Sequence, residues 1–305
     1  MRQIRVHEHG GTEALIEEQV KAPDPAEGEV LVRVEAVGLN HLDLWVRRGV
    51  PGHRFPLPLV PGSDAAGVVV DTGQRVALAP QTLDGHIRGE SIDGWYRELV
   101  SVPEESLLPI PEGLSTVDAA PIALSALTAW QMLRKARIQQ GERVLVIGGT
   151  SGVGHFAVQI AHNAGCHVVA TARSPAKREL CLELGADTVL DSDAERFPRS
   201  DVVIEHVGAA TWPRSLRALD WRGRLVTCGA TTGATVEIDL RVLFFKQQEL
   251  IGSTMGTRED LQAMWEEVRA GRLRAHVGGV FEDLSEAHTA LEGGVLGKVV
   301  ALLRR

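Results

Sequence analysis

A glycine-rich segment at residues 149–154 has the residue types and the spacing that bind phosphate. It follows the apolar run 144–147 and precedes a stretch in which apolar residues recur every four positions, which predicts a strand, a turn and a helix. In this context the free amides of a helix N-terminus face an anion, so the segment predicts a dinucleotide site in preference to a ligand-free turn. The residues expected to contact the dinucleotide are Gly149, Thr150, Ser151, Gly152 and Val153.

The glycines of this segment have different expected tasks. We expect Gly149 to permit the tight turn, Gly152 to let the backbone approach the pyrophosphate and Gly154 to let the helix pack on the strand. Ser151 stands where the motif usually has its middle glycine. Its hydroxyl can still donate to a phosphate, so we interpret the serine as a variant of the motif.

The residues after the next predicted strand indicate which dinucleotide is bound. That strand is HVVATA, residues 167–172, and Arg173, Ser174 and Lys177 follow it. NAD-specific sites carry an Asp or Glu here, whose charge would repel a 2′-phosphate. A guanidinium, a hydroxyl and an ammonium suit a phosphate instead, so the sequence predicts NADPH. The alternative is a solvated helix start, but basic residues oppose the dipole at a helix N-terminus.

Strands and helices alternate from Arg143 onward, whereas the first ~120 residues are mostly strand. Further strand candidates are DTVL, DVVIEHVG, GRLVTCG and ELIGSTM, and AKRELCLELG is a helix that ends at Gly185. In the first part, residues 30–37 predict a half-buried strand and residues 67–79 a hairpin. The tail from residue 283 predicts a helix and a valine-rich strand that returns to the first part.

Composition bounds the class of protein. A chain of 305 residues with 44% hydrophobic and 24% charged residues predicts two folded domains. The net charge of -8 argues against nucleic acid as a partner. No apolar stretch has the length of a signal peptide core or a membrane span, so we expect a cytoplasmic protein with no membrane partner. The three cysteines lack the spacing of a metal site.

Ten segments in succession resemble the medium-chain dehydrogenase/reductase superfamily, from Val30 to Val300. They are GLNHLDLWVRRG, PGSDAAGVV, DGWYREL, ALTAW, GTSGVG, ELGAD, VGAATW, VTCGATTG, GSTMG and GKVV. The resemblance implies an α/β fold with a GroES-like, β-rich catalytic lobe and a Rossmann lobe built on a doubly wound parallel sheet. The expected catalytic domain is 1–119 with 269–305, the expected NADPH-binding domain is 120–268, and the active site is expected between them.

The resemblance also implies that no metal is bound. The family's zinc-binding Cys falls at Asn40, and the His of its Gly-His-Glu motif falls at Ser63. Catalytic zinc needs about three Cys, His or carboxylate ligands. The family's structural-zinc loop corresponds to residues 80–93, which are short and contain no cysteine. The chain therefore resembles most closely the zinc-independent quinone oxidoreductase branch, which includes zeta-crystallin.

Asn40 and Asp43 match the Asn-x-x-Asp pair that borders the nicotinamide cleft in that branch, and Trp45 replaces an aromatic residue there. Asn40 could hydrogen-bond the oxygen of an acceptor, or it could cap the helix that HLDLWV predicts. Asp43 has the same two interpretations. Trp45 is the third candidate catalytic residue, with plain packing as its alternative. Tyr96, the only tyrosine, is a possible proton donor in a segment that looks structural.

Further cofactor contacts are implied by the same resemblance. Thr128 resembles a cofactor-side threonine, although a helix threonine without a ligand is the alternative. The remaining candidates lie at predicted strand ends, where an open α/β sheet binds its ligand. They are Val207, Cys228, Gly229, Ala230, Ser253, Thr254 and Met255.

These residues together predict an NADPH-dependent reductase that transfers hydride to a quinone or an α,β-unsaturated carbonyl without a metal. Its partner would be a small-molecule electron acceptor, and a homodimer through the last strand of the sheet is expected. The alternatives are a non-catalytic NADPH-binding structural protein and a metal-free alcohol or aldehyde dehydrogenase.

Overall fold

The structure is a computed structural model that describes residues 1–303, so Arg304 and Arg305, the end of the expected segment 269–305, lie outside the described residues. The chain divides into two units, one formed by Met1–Leu124 with Arg274–Arg305 and the other by Ser125–Leu273. The domain boundaries expected from the sequence stay a prediction. Within residues 1–303, no helix combines the length and the apolar character needed to cross a membrane.

The first unit is rich in short strands, as predicted. Its N-terminal part contains β1 (Arg2–Arg5), β2 (Ile16–Gln19), β3 (Glu29–Leu39), α1 (His41–Arg48), β4 (Asp64–Val69), β5 (Arg75–Leu78), β6 (Leu99–Pro103), β7 (Leu107–Pro109) and α2 (Thr116–Ala119), with single 3₁₀ turns at Thr12–Ala14 and Glu104–Ser106. The hairpin predicted over residues 67–79 is the antiparallel pair of β4 and β5.

The second unit alternates strand and helix. It contains α3 (Ala123–Lys135), which begins at the end of the first unit, then β8 (Arg143–Val146), α4 (Gly152–Asn163), β9 (His167–Ala172), α5 (Pro175–Glu183), β10 (Thr188–Asp191), β11 (Ser200–Glu205), α6 (Trp212–Ala218), β12 (Leu219–Thr227), α7 (Leu240–Phe245), β13 (Glu249–Gly252) and α8 (Arg258–Arg269). The chain ends in the first unit with β14 (Val277–Phe281), α9 (Leu284–Gly293) and β15 (Lys298–Leu302).

The main sheet of the first unit has the order β14-β15-β3-β4-β5-β7, and β6 also pairs with β3. β15 runs antiparallel to β3, which confirms that the valine-rich tail returns to the first part of the chain. Alternate side chains of these strands fill a core that includes Val32, Val34, Leu78 and Val299. The long strand β3 therefore lies at the centre of the unit and delivers Asn40 directly after its last residue.

The sheet of the second unit has the order β10-β9-β8-β11-β12-β13, and all its pairs are parallel. This confirms the predicted parallel sheet. The chain leaves β8 toward β9 on one side and later returns to place β11 on the other, which is the topological switch point where such sheets bind ligands. The segments that follow the strands therefore lie side by side at the carboxyl end of the sheet.

Candidate active site

The glycine-rich segment links β8 to α4, and its turn spans residues 147–150. Gly148 has a φ of +66°, in the left-handed region, whereas Gly149 is not among the glycines with positive φ. Gly149 is required for packing, because an added Cβ would lie 2.8 Å from both the Ala170 side chain and Cys181 Sγ. An added Cβ at Gly154 would overlap the carbonyl oxygen of Gly148, so the expected close packing at Gly154 is observed. Both Gly148 and Gly149 lie in the turn at residues 147–150, and Gly148 is the one with positive φ.

Ser151 forms the N-cap of α4, and its Oγ accepts from Gly154 N at 3.0 Å. The same Oγ lies 3.0 Å from Nε2 of His206, which follows β11. The loop is also held from β9, since Gly148 N donates to Thr171 Oγ1 at 2.9 Å. The segment expected to bind pyrophosphate is thus fixed to both neighbouring strands.

A buried carboxylate organises the segment after β11. Glu205 is fully buried, and its Oε1 accepts from Val207 N at 2.7 Å and from Gly208 N at 3.1 Å. Its Oε2 accepts from Thr211 Oγ1 at 2.9 Å and from Ser215 Oγ at 2.6 Å. These donors satisfy the carboxylate, and they fix the backbone of Val207, one of the predicted cofactor residues.

Arg173, Ser174 and Lys177 lie at the start of α5, directly after β9. Ser174 is the N-cap, and its side chain accepts from Lys177 N at 3.3 Å. Arg173 is exposed, and within residues 1–303 its guanidinium forms no ion pair. The nearest acid in the strand register is Asp191, opposite Ala172, and Arg178 holds it in an ion pair at 2.8 Å. A phosphate placed here would face the basic side chains of Arg173 and Lys177, and the Asp191 carboxylate is already paired with Arg178.

The segments after β12 and β13 carry the remaining cofactor candidates of this unit. Cys228 N donates to the Glu205 carbonyl at 3.3 Å, and burial raises the pKa of the Cys228 thiol to about 12, so it is no thiolate nucleophile at neutral pH. Gln131 of α3 fixes residues 253–255: in the amide orientation that satisfies its neighbours, it donates to the carbonyls of Thr254 at 2.7 Å and Met255 at 2.9 Å. Met255 has a φ of +50°, an uncommon conformation for a side chain of this kind.

The other cofactor candidates lie inside a helix, in a turn and at a strand end. Thr128 is buried in the middle of α3. The Ala230 carbonyl accepts from Gly233 N at 3.0 Å, which closes a turn. Ser253 lies at the end of β13, with its hydroxyl 3.2 Å from Gln131. Sequence reasoning placed Ala230 and Ser253 at strand ends and Thr128 in a helix, and the structure agrees.

Asn40 belongs to a buried polar cluster in the first unit. Its Nδ2 donates to Asp64 Oδ2 at 2.9 Å, and its Oδ1 accepts from Lys298 Nζ at 2.6 Å. Asp64 Oδ1 also accepts from Leu124 N at 2.7 Å, at the N-terminus of α3. Burial raises the pKa of Asp64 and lowers that of Lys298, and the opposite charge counters each shift. The amide of Asn40 is therefore held in one orientation by a carboxylate and an ammonium.

Asn40 is also the N-cap of α1, with Asp43 as the reciprocal partner in a capping box. Asp43 accepts from Asn40 N at 2.7 Å and from Gly62 N at 3.1 Å, and burial raises its pKa to about 7. Trp45 packs against a small apolar cluster that includes Phe55. The capping interpretation of Asn40 and Asp43 is confirmed, and their catalytic roles stay predictions.

Tyr96 does not lie at an accessible position. It is fully buried, its hydroxyl is 3.1 Å from His288 Nε2, and burial raises its pKa well above the usual value. A phenol in this setting is a poor proton donor to a substrate, which agrees with the structural interpretation of the DGWYREL segment.

The residues at the expected zinc position do not suit a metal ion. Ser63 Oγ donates to the Arg88 carbonyl at 2.6 Å, and the ammonium of Lys298 beside Asn40 would repel a cation. Across residues 1–303, no three or more His, Cys, Asp or Glu side chains are grouped so as to hold a metal. The amide of Asn40 and the hydroxyl of Ser63 are not the ligands that zinc requires, and the neighbouring Asp64 carboxylate is already bound by Asn40 and Lys298, so the donor set does not fit zinc.

Sequence reasoning missed several polar residues of both sites. Each of them begins, ends or directly follows a buried strand or lies inside a buried helix, and a charged or polar residue at such a position is the signal that could have identified it. These residues are Asp64, Gln131, Glu205, His206 and Lys298.

Comparisons with known proteins agree with this architecture. Residues 26–112 match the family model for the alcohol dehydrogenase GroES-like domain, and residues 152–270 match that for zinc-binding dehydrogenase. Quinone oxidoreductase of Homo sapiens is 30% identical and covers 99% of this chain and 98% of its own. Quinone oxidoreductase of Pseudomonas aeruginosa is 31% identical and covers 95% of each chain.

A solved NAD-dependent alcohol dehydrogenase is 34% identical, with a TM-score of 0.94 over 100% of both chains. The GroES-like and Rossmann architecture expected from the sequence is therefore confirmed. Together with relatives that align over almost their whole length, these matches show that the chain belongs to the medium-chain dehydrogenase/reductase superfamily of oxidoreductases.

Proposed function

We propose that this oxidoreductase uses NADPH to reduce a quinone or an α,β-unsaturated carbonyl without a catalytic metal. The observation that carries the proposal is the pair Asn40 and Ser63, an amide and a hydroxyl at the positions of two of the family's zinc ligands, with the Lys298 ammonium bound to Asn40 Oδ1. Without a Lewis acid, hydride transfer suits acceptors that are already electron-poor. The full-length quinone oxidoreductase relatives support the same substrate class.

The chain's own residues would bind and orient the reactants. NADPH, when bound, supplies the hydride. Arg173 and Lys177 would hold its 2′-phosphate, and the amides at the start of α4 would face its pyrophosphate. As hydride reaches the acceptor carbon, negative charge develops on the acceptor oxygen. Asn40 would donate to that oxygen, and the Lys298 ammonium on its Oδ1 would strengthen the amide N–H as a donor.

The direct test is NADPH oxidation with 9,10-phenanthrenequinone, with an enone and with an aldehyde, each with and without a chelator. We expect turnover of the quinone or the enone that a chelator does not change, and well under one zinc per chain by elemental analysis. Stoichiometric zinc with chelator-sensitive turnover would contradict the metal-free assignment. Turnover of none of the three, with NADPH bound, would favour a non-catalytic binding protein.

A second candidate is alcohol dehydrogenation with NAD, since the NAD-dependent alcohol dehydrogenase structure is similar along the whole chain. The same purified protein distinguishes the two functions. Faster oxidation of primary or secondary alcohols with NAD⁺ than reduction of the quinone with NADPH would favour this candidate.

Asn40 provides the sharpest test of acceptor activation. Asn40→Ala should lower turnover by ~10 to 100-fold and leave NADPH affinity nearly unchanged, because a hydrogen bond formed mainly in the transition state affects rate more than binding. The variant also leaves Asp64 and Lys298 without their shared amide, so we expect a lower melting temperature. Unchanged turnover together with that lower melting temperature would assign Asn40 to capping and packing alone.

A further inference from the structure

His206 connects three segments that sequence reasoning assigned to the cofactor. It follows Glu205 at the end of β11, and its Nε2 lies 3.0 Å from Ser151 Oγ in the glycine-rich loop. Its carbonyl oxygen is 3.4 Å from Thr231 Oγ1 and would be 2.9 Å from a Cβ added to Gly229. His206 therefore packs against the loop after β8 and the segment after β12.

The hydrogen bond between His206 and Ser151 does not depend on a charged ring. Burial lowers the pKa of His206, the neighbouring Glu205 carboxylate counters that shift, and the net lowering favours the neutral imidazole. Neutral imidazole has one N–H and one acceptor nitrogen. Nε2 therefore accepts from the Ser151 hydroxyl in one tautomer and donates to its oxygen in the other, and both tautomers join the ring to the loop.

The Ser151 hydroxyl has two partners inside the protein. Its oxygen accepts from Gly154 N at 3.0 Å and lies 3.0 Å from His206 Nε2. Ser151 therefore has a structural role in the loop, and its contact with a phosphate stays a prediction. The loop has little room for another arrangement, since a Cβ added to Gly148 would already lie 3.3 Å from His206 Cε1.

We infer that His206 is a positioning residue for the dinucleotide, which acts through Ser151 to hold the glycine-rich loop in its binding conformation. The inference rests on the proposed dinucleotide cofactor. It predicts that loss of the imidazole weakens dinucleotide binding although His206 itself need not touch the ligand. It also predicts that Ser151 and His206 act as one unit.

The test measures NADPH binding by titration calorimetry for the full-length parent and for His206→Ala, His206→Gln, Ser151→Ala and the double alanine variant. We expect His206→Ala to raise the Kd about 10-fold, as for one lost buried hydrogen bond. Gln can place an acceptor near the position of Nε2, so His206→Gln should restore most of the affinity. Ser151→Ala also loses the cap on Gly154 N, so the double variant should bind about as well as Ser151→Ala, because the partners in one hydrogen bond are not additive.

Three outcomes separate the possibilities. A parent that binds neither NADPH nor NADH would overturn the proposed cofactor and this inference together. A parent that binds, with His206→Ala equal to it or with additive losses in the double variant, would overturn the positioning role alone.

In steady-state assays the role predicts a raised KM for NADPH with a much smaller change in kcat. His162→Ala, an exposed histidine of α4, is the matched control and should bind like the parent. If His206→Ala fails to fold, His206→Gln and Ser151→Ala still decide the question.

Discussion

Arg173 is the single side chain on which the proposed preference for NADPH depends. It is exposed at the start of α5, beside the capping residue Ser174, and the nearby Asp191 is neutralised by Arg178. An exposed guanidinium binds phosphate more weakly than a buried one, because solvent screens the interaction. A bidentate contact can still distinguish two cofactors that differ by one phosphate.

Arg173→Ala should raise the KM for NADPH by ~10-fold or more and leave that for NADH nearly unchanged, consistent with ~1.5 kcal/mol or more for a charged hydrogen bond. Steady-state kinetics with both cofactors provide the measurement. Arg269→Ala, at the end of α8, is the control and should change neither constant. Equal NADH and NADPH kinetics in the parent, or equal losses in the variant, would contradict the specificity claim.

The free energy of unfolding at acid pH depends on the buried imidazole of His288. Burial, reinforced by Arg47 and Arg48, lowers its pKa to about 3, whereas an unfolded histidine titrates near ~6.5. Between these values the unfolded chain binds a proton that the folded chain does not, so the free energy of unfolding falls as the pH falls through this window. Above the unfolded pKa this contribution to the pH dependence is absent.

His288→Phe removes that titration. The lost contact with Tyr96 lowers the stability of the variant at every pH, but relative to the parent it should gain about 2 kcal/mol between about pH 7 and about pH 4.5. Urea unfolding at the two pH values measures the difference. The exposed His162→Phe should show a flat difference, and a flat difference for His288→Phe as well would mean that His288 is protonated in the folded protein.

At the scale of elements, the sequence predicted the six strands from β8 to β13 and the helices α4 and α5, but it made no prediction for the amphipathic helix α8. The alternation from β8 to β13 and the return of β15 to β3 followed from the apolar periodicity. The short strand β14 was not predicted, because glycines at 278 and 279 interrupt its apolar pattern. The sequence also gave no sign of which of the adjacent glycines 148 and 149 has positive φ, and the structure shows that it is Gly148.

Close packing of the glycine-rich loop on α4 is testable at Gly154. A methyl group there would overlap the Gly148 carbonyl, so Gly154→Ala should displace the loop at a cost of about 1 to 3 kcal/mol. We expect weaker NADPH binding by ~10-fold or more and a lower melting temperature. Gly293→Ala is the control, because nothing lies within 4 Å of its added Cβ. Parent-like NADPH binding by Gly154→Ala would show that the loop tolerates the displacement.

At the scale of the whole molecule, contacts between distant residues were beyond reach of sequence reasoning. Asp64 and Lys298 meet because β3 lies between β4 and β15, and no local pattern encodes that neighbourhood. The contact of Ser151 with His206 likewise depends on β8 and β11 being adjacent in the sheet. Periodicity predicts which face of an element is buried but not which partner covers it.

An apolar surface on the second unit supports the homodimer that was expected from the sequence. β13 is an edge strand of the sheet, and Phe244 and Phe245 of the preceding α7 are 60% and 69% exposed, with ring centroids 4.5 Å apart. Trp221 is 58% exposed, and its neighbour Arg222 donates from its backbone to the Lys246 carbonyl, which places the tryptophan beside the end of α7.

An unpaired edge next to exposed aromatic rings is the kind of surface that a second copy of the chain covers. Light scattering after gel filtration should therefore give about twice the chain mass of 32.9 kDa. Phe245→Asp places a charge in the surface and should give the mass of one chain, with NADPH binding retained. Leu182→Asp is the control, because Leu182 is 53% exposed on α5, away from the edge strand β13, and should leave the dimer intact. A parent that elutes as a single chain, or a dimer that Phe245→Asp does not change, would show that this surface is not the dimer interface.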